Sequence, residues 1–207
     1  MGDDFAKAAA KWDANPFRLA MLQDLYAQVR RACPDLTGRT VLEFGCGTGA
    51  LGLRLGREEG AGLIFVDTSP AMLEVLRGKL QAAPLAGARV LEGELPALPL
   101  EDASVDVVLC SLSLHHVPDV EPFIRQFRRL LTPGGLLLVA DAMPEDGSFH
   151  APAVVPHNGF NPAELAMRLA VAGFAPEPHI VFHLLQKPDA SGAPREYPLF
   201  LLAARAA

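Results

Sequence analysis

Short apolar runs alternate with helix-length segments between residues 40 and 141. The runs are Thr40–Phe44, Gly62–Val66, Ala88–Glu92, Val105–Ser111 and Leu136–Asp141. The segments between most of them place apolar residues at the three- and four-residue spacing of a helix face. Because parallel strands are joined by long crossovers, this alternation predicts βαβ units and a parallel sheet with helices on both faces.

Amphipathic segments fill most intervals between these runs and continue on both sides of them. The predicted helices are Thr48 to about Glu58, Ser69–Pro70 to about Ala82, Asp119–Leu131 and Asn161–Ala172, and two further segments, around Asp4–Asp13 and from Pro16 to about Ala32, precede the first strand. Pro16 suits the first position of a helix and Asn161 suits an N-cap. Gly173 supplies a C-terminal stop for the last helix.

The end of the chain breaks the alternation. The segments "HIVFHLLQK" and "EYPLFLLAAR" are joined by "PDASGAP", which is too short for a crossover helix, so they predict an antiparallel hairpin. The whole pattern predicts an α/β fold: a doubly wound, Rossmann-like sheet of seven strands, mostly parallel, with an antiparallel C-terminal hairpin and helices on both faces.

Composition narrows the class of protein. Of the 207 residues, 50% are hydrophobic and 20% are charged, as in a folded globular domain, and the net charge of −6 disfavours binding to long nucleic acid. No apolar run is long enough to span a bilayer and no signal sequence is recognisable, so we expect no membrane association and a cytoplasmic location. Cys33, Cys46 and Cys110 lack a CxxC spacing, which predicts free thiols.

The stretch "VLEFGCGTGALG", Val41–Gly52, contains a literal G-x-G-x-x-G and follows the first predicted strand. Asp67 ends the second strand about 20 residues beyond the glycines, where a carboxylate binds the ribose of NAD or of S-adenosylmethionine. Glu43 would repel a pyrophosphate but attract a cation. S-adenosylmethionine carries an ammonium and a sulfonium, so these residues favour it. In this interpretation Gly45, Gly47 and Gly49 form the ligand-binding turn, and Gly52 is an extra glycine that completes the literal pattern by coincidence.

Five segments in this order resemble the class I S-adenosylmethionine-dependent methyltransferase family. They are "VLEFGCGTG", "FVDTSPAML", "GELPALPLEDASVDVVLCSLSLHHVPD", "LTPGGLLLVAD" and "ELAMRLAVAGF", and the resemblance covers about Thr40–Phe174. It implies S-adenosylmethionine as cofactor, S-adenosylhomocysteine as product, and transfer of a methyl group to a small-molecule acceptor at oxygen, nitrogen or carbon.

The resemblance also implies a cofactor-binding set at the ends of the strands. Asp67 would bind the ribose hydroxyls, Glu94 would accept from the adenine amino group, and Ser111 would offer its backbone carbonyl to the methionyl ammonium. The end of the first strand and the turn after it, called the glycine turn below, would contribute Glu43, Gly45, Cys46, Gly47 and Gly49. The residues beside the adenine would be Thr68, Met72 and Leu95.

We expect one methyltransferase domain over residues 1–207. Residues 1–35 would form a helical lid that includes Trp12, residues 36–141 a cofactor-binding core, residues 142–160 an insert on the acceptor side, and residues 161–207 a helix with the terminal hairpin. The insert is rich in Pro, Gly and His and is long for a connection, which favours a functional role.

Methyl transfer from a sulfonium is an in-line displacement, so a base is needed only if the acceptor must lose a proton. Histidine is suited to that task near neutral pH. His157 is the preferred catalytic candidate, with a loop-ordering hydrogen bond as the alternative, and His115 and His150 are further candidates. For His116 we favour a structural role.

No metal is expected from the sequence. The spacing of His115, His150 and His157 is not diagnostic of a metal site, and no cysteine or paired carboxylate completes a ligand set.

Two other functions stay open at this point. An NAD(P)-dependent oxidoreductase fits the literal glycine pattern, and a non-catalytic S-adenosylmethionine-binding protein or scaffold fits the binding set alone. The segment "SLSLHHV" after the fourth strand differs from the Pro-Pro-aromatic motif of enzymes that methylate nucleic-acid amino groups, so we expect a small-molecule partner, no nucleic acid, and a monomer or homodimer.

Overall fold

The computed structural model describes residues 9–188 and 192–207, apart from the side chains of residues 10–12. Ala9–Ala14 form a 3-10 helix. The earlier part of the predicted Asp4–Asp13 segment and the side chain of Trp12 lie outside the described residues. Every helix in the described ranges is too short or too polar to traverse a bilayer.

Five α-helices and eight strands follow in the described part of the chain; seven of the strands correspond to predicted ones, and the short strand Phe174–Pro176 was not predicted. The helices are α1 (Pro16–Ala32), α2 (Ala50–Glu59), α3 (Pro70–Ala82), α4 (Glu121–Leu130) and α5 (Pro162–Val171). The strands are β1 (Thr40–Phe44), β2 (Gly62–Asp67), β3 (Arg89–Glu92), β4 (Val105–Ser111), β5 (Leu131–Ala142), β6 (Phe174–Pro176), β7 (Ile180–Pro188) and β8 (Pro194–Ala206). Asn15 and Asn161 cap α1 and α5, each accepting a backbone N–H at 3.0 Å.

The strands form one sheet in the order β3-β2-β1-β4-β5-β8-β6, with β7 also paired to β8. Strands β1 to β5 pair in parallel, whereas β8 is antiparallel to its partners. Since β5 occupies one edge of β8, β6 and β7 share the other edge, and the sheet is seven strands wide. The predicted doubly wound, Rossmann-like fold with an antiparallel C-terminal hairpin is confirmed.

Strand order decides where a ligand can bind. The chain places β2 and β3 on one side of β1 and then returns to place β4 on the other side. The carboxyl ends of β1 and β4 therefore flank the point at which the strand order reverses, which is the usual ligand site in open α/β sheets.

Two apolar layers cover the faces of the sheet, and β1 contributes to both. Val41 packs in the layer with α1, α2 and α3, whereas Leu42 and Phe44 pack in the layer with α4 and α5. Glu43 occupies the next position on the Val41 face and is only 4% exposed. A carboxyl group thus stands where the alternation of the strand calls for an apolar side chain.

The beginning of α2 differs from the prediction. The predicted helix starts at Thr48, but α2 begins at Ala50 after Gly49, which has a left-handed conformation and no side-chain cap. The Thr48 hydroxyl donates to Asp13 Oδ1 at 2.6 Å. Strand β5 also begins earlier than the predicted Leu136, at Leu131, and its pairing with β4 shifts register within the added stretch.

Gly52 is required by packing. Its backbone N–H donates to Glu43 Oε2 at 3.1 Å, in the buried interior. A Cβ atom at this position would lie 2.6 Å from the Phe65 ring and closer still to Glu43 Oε2. Glycine is therefore needed at position 52 for packing, because a side chain here would separate α2 from the sheet.

We expect Gly52→Ala to lower the free energy of unfolding by about 1–3 kcal/mol, since the added methyl group overpacks a filled site. Gly78→Ala is the matched control, because Gly78 lies within α3 and an added Cβ meets nothing within 4 Å. That variant should gain about 0.5–1 kcal/mol from helix propensity. Urea denaturation measures both changes, and equal effects of the two substitutions would contradict the packing argument.

Candidate active site

A cavity of about 1100 Å³ opens at the carboxyl ends of β1, β2 and β4. Its walls come from the glycine turn, the end of β2, the start of α1, the histidines after β4, and two later segments, Phe149–His150 and Leu185–Lys187. Ligand pockets typically occupy about 300–1000 Å³. The cavity therefore has room for a nucleoside cofactor together with a second molecule.

Most of the predicted cofactor-binding set lines this cavity. The lining members are Glu43, Gly45, Cys46, Gly47, Asp67, Thr68, Met72, Glu94 and Ser111. Gly49 and Leu95 are not lining residues: Gly49 is the N-cap of α2, and the Leu95 side chain is fully buried in the apolar layer near α4. The contacts of this set with a cofactor stay a prediction.

The glycine turn has a backbone conformation that residues other than glycine rarely adopt. Gly45, Gly47 and Gly49 all have positive φ angles, of 63°, 53° and 69°. At Gly45 a Cβ atom would also overlap the Ser113 side chain. The chain can therefore pass close to the end of β4 only with glycine at this position.

The Asp67 carboxylate holds this turn in place. Its Oδ2 accepts the N–H of Gly47 at 2.7 Å, and its Oδ1 accepts the N–H of Ser69 at 2.8 Å. Asp67 also lines the cavity. Each carboxylate oxygen has a second lone pair, so the carboxylate can still accept hydrogen bonds from a ligand.

Glu43 is buried against the wall of the cavity. Burial is the main cause that raises the pKa of its carboxyl group to about 8; the nearby Asp67 also raises the pKa, whereas the Gly52 N–H and Lys79 lower it. The group is therefore largely protonated near pH 7 while the cavity holds no cation. A cationic ligand beside it would favour the ionised form.

The N-terminal segment is attached beside the glycine turn. Asp13 accepts the hydroxyl of Thr48 and forms a 2.5 Å ion pair with Lys79, whose ammonium also donates to the Thr48 carbonyl at 2.8 Å. Asp13, Phe17 and nearby residues at the start of α1 line the cavity. This arrangement agrees with a covering role for the segment, although no sequence pattern pointed to Asp13.

The end of β4 approaches the turn closely. The Ser113 hydroxyl lies 2.8 Å from the Ser111 carbonyl and 3.1 Å from the Gly45 carbonyl. Leu112 between them has a φ of 49°, an unusual conformation for a residue with a branched side chain. The Ser111 carbonyl keeps a second lone pair, as its predicted contact with an ammonium requires.

Three histidines also line the cavity. His115 is 2% exposed, and its Nδ1 lies 2.7 Å from Oδ1 of the fully buried Asp141. The ring centroids of His116 and His150 lie 4.2 Å and 4.6 Å from the centroid of the His115 ring. Burial, followed by the neighbouring histidines, lowers the pKa of His116 to about 4 and that of His150 to about 3, with smaller contributions from Lys187 and Arg18 at His150, so both rings are neutral near pH 7.

His157 lies apart from this group. Its Nε2 donates to the Val117 carbonyl at 3.0 Å, and its backbone N–H donates to the His115 carbonyl at 3.2 Å. Among the described residues that line the cavity, His115 and His150 are present but His157 is not. These contacts agree with the loop-ordering alternative for His157.

The cysteines do not serve as nucleophiles here. Burial raises the pKa of the Cys46 and Cys110 thiols well above the usual value, so neither ionises near neutral pH. All three cysteines are free thiols, as the sequence predicted.

Sequence reasoning assigned no role to Asp141, Ser113 or Asp13. Asp141 ends a predicted strand at the same sheet edge as Asp67, which was a usable signal. Ser113 and Asp13 gave no signal, because their partners Gly45 and Thr48 lie 68 and 35 residues away in the chain.

A family model described as a methyltransferase domain matches residues 42–139, from β1 into β5. The demethylmenaquinone methyltransferase of Tropheryma whipplei (strain Twist) is 33% identical over 140 residues, which are 66% of this chain and 56% of that protein. The chain belongs to the class I S-adenosylmethionine-dependent methyltransferase family.

Two further proteins extend this similarity. The ubiquinone biosynthesis O-methyltransferase of Methylocella silvestris is 34% identical over 153 residues, 68% of this chain and 59% of that protein. The crystal structure of a SAM-dependent methyltransferase from Aquifex aeolicus has the same fold, with a TM-score of 0.71, 19% identity and coverage of 100% of this chain and 99% of that one. The chain spans less than two thirds of the length of both curated relatives.

We expect Glu43→Gln to change how stability depends on pH. The folded-state pKa of Glu43, about 8, exceeds the ordinary value of 4.5 for a glutamate, so its stabilising contribution is complete below about pH 4.5 and is lost as the pH rises through about 8. Glutamine keeps an acceptor for Gly52 but carries no charge. Relative to wild type, the variant should therefore gain stability as the pH rises over this range.

Urea denaturation of the cofactor-free protein at about pH 5, 6.5 and 8 measures this difference. Glu74→Gln replaces an exposed carboxylate on α3 and is the control, for which we expect no trend. A stability difference between Glu43→Gln and wild type that stays constant across these pH values would contradict the raised pKa.

Proposed function

We propose that the protein transfers the methyl group of S-adenosylmethionine to a small-molecule acceptor, at oxygen, nitrogen or carbon, and releases S-adenosylhomocysteine. The observation that carries this proposal is that the glycine turn with Asp67 and the histidines with apolar residues line one cavity. Family membership supports the same cofactor.

The turn end of the cavity fits the cofactor. Asp67 is already oriented by Gly47 and Ser69, so it can accept from both ribose hydroxyls with little reorganisation. Glu43 and the Ser111 carbonyl lie on the same side of the cavity and suit the methionyl ammonium. Glu94 is exposed at the start of a 3-10 helix, Leu95–Ala97, where it can reach the adenine amino group.

The other end fits a compact acceptor with an apolar body. Phe17, Met21, Phe149 and Leu185 contribute apolar surface, and the histidine rings contribute polar atoms. One relative is named for demethylmenaquinone and the other for ubiquinone biosynthesis, and these names agree with a small-molecule acceptor. The acidic net charge also fits a small molecule better than a nucleic acid.

The protein would contribute to methyl transfer in two ways. It holds the acceptor atom in line with the sulfonium methyl group, and it excludes water from the reacting atoms. Where the acceptor loses a proton, we propose His115 or His150 as the proton acceptor. Asp141 would keep His115 in the tautomer whose Nε2 can accept, and His157 would order the insert that carries His150.

We expect Asp67→Ala to weaken the binding of S-adenosylhomocysteine by at least about 100-fold. The substitution removes charge-assisted hydrogen bonds to the ribose, each of about 1.5–3 kcal/mol, and also releases Gly47. Isothermal titration calorimetry measures this loss. Asp102→Ala, which removes an exposed aspartate that does not line the cavity, is the matched control and should bind like wild type.

The same titration with NAD distinguishes the proposed function from an oxidoreductase. Binding of NAD without binding of S-adenosylhomocysteine would overturn the proposal. Transfer of an isotopically labelled methyl group to a metabolite extract, compared with heat-killed protein, then separates an enzyme from a protein that only binds the cofactor. Binding of S-adenosylhomocysteine without transfer of the labelled methyl group would favour a protein that only binds the cofactor.

A further inference from the structure

Three histidine side chains meet at the acceptor end of the cavity. His115 and His116 belong to a 3-10 helix after β4, and His150 comes from the insert at 142–160. One ring nitrogen of each lies within 4.8 Å of the other two. Tetrahedral ligands at about 2.1 Å from a metal lie about 3.4 Å apart, so small ring rotations bring these atoms to coordinating distance.

His115 is oriented as metal-binding histidines are. Its Nδ1 donates to Asp141 Oδ1, and the same carboxylate accepts the backbone N–H groups of His115 at 3.3 Å and Ala142 at 2.7 Å. A buried carboxylate behind the ring fixes the tautomer and leaves Nε2 with a free lone pair. Histidine ligands of metals usually have such a partner.

Two of the ring nitrogens also lack a partner. His115 Nε2 and His150 Nε2 are buried without a hydrogen bond to any atom that the structure describes. An unsatisfied buried polar atom costs about 1–3 kcal/mol, and such atoms are rare. A cation between the rings would satisfy both.

We propose that His115, His116 and His150 bind one divalent transition-metal ion of the Zn²⁺ type, with a further coordination position open to the cavity. Imidazole ligands suit zinc, nickel, copper or iron, whereas magnesium and calcium prefer oxygen. Three protein ligands and an open position are typical of catalytic rather than structural zinc sites. From the sequence, the candidate ligands are His115, His150 and His157, and no metal is expected. The proposed ligand set has His116 instead of His157 and replaces that expectation.

The metal site would add an oxygen-binding function to the acceptor end. Three neutral imidazoles leave the ion with its full charge, so the open position would take an anionic oxygen such as a phenolate or an enolate, and the bound metal rather than a histidine would then favour loss of the acceptor proton. Arg18 and Lys187 line the same end and would attract the same group. Metal binding itself does not depend on the proposed function, whereas this use of it rests on methyl transfer.

The experiment is a titration of the chelator-treated, full-length protein with Zn²⁺ against a competing chelator, and with Co²⁺ followed by visible absorption. We expect one equivalent of each metal and the d–d bands of a low-coordinate Co²⁺ site. His150→Ala and His116→Ala should each weaken binding by at least about 100-fold. Asp141→Asn, which alters the partner of His115, should weaken it by about 10- to 100-fold.

His179→Ala is the matched control, because His179 is an exposed histidine outside the cluster, and it should bind metal like wild type. Thermal melting and the binding of S-adenosylhomocysteine establish that each variant is folded. Retention of wild-type metal affinity by folded His150→Ala and His116→Ala, or the absence of stoichiometric binding by wild type, would overturn the proposal. Wild-type protein that binds S-adenosylhomocysteine but takes up no stoichiometric metal would overturn this inference and leave the proposed function standing.

Discussion

The carboxylate of Asp67 joins the parts of the molecule that build the cavity. It ends β2, fastens the glycine turn after β1 through Gly47, and fastens the approach to α3 through Ser69. Without it, the glycine turn and the approach to α3 would lose their common acceptor. Because the protein's own N–H groups already fix this side chain, a ligand that binds it meets a prearranged group and pays little ordering entropy.

The fold could be predicted because each of its signals is local. A strand such as β4 is a continuous apolar run, α1 has a proline at its start and an asparagine cap, and the short link before β8 excludes a crossover. Asp67 could be found for the same reason, since its place at the end of a buried strand follows from the sequence.

The parts that could not be predicted depend on contacts between distant residues. Asp13 meets Thr48 across 35 positions, and Asp141 meets His115 across 26. His150 belongs to an insert without regular periodicity, so no spacing rule relates it to the residues after β4. The sequence left two roles open for His157, a catalytic one and a loop-ordering hydrogen bond, because the path of the insert decides which histidine lines the cavity.

The pairing of Glu43 with Gly52 has a consequence for reading glycine patterns. Three glycines of the stretch have left-handed backbone angles, whereas Gly52 is needed because a carboxyl group and an aromatic ring fill the space next to it. The G-x-G-x-x-G pattern therefore has two independent causes here: the left-handed backbone of the turn and the close packing around Gly52. A glycine motif shows how closely other atoms approach the backbone, and those atoms can belong to the protein itself rather than to a ligand.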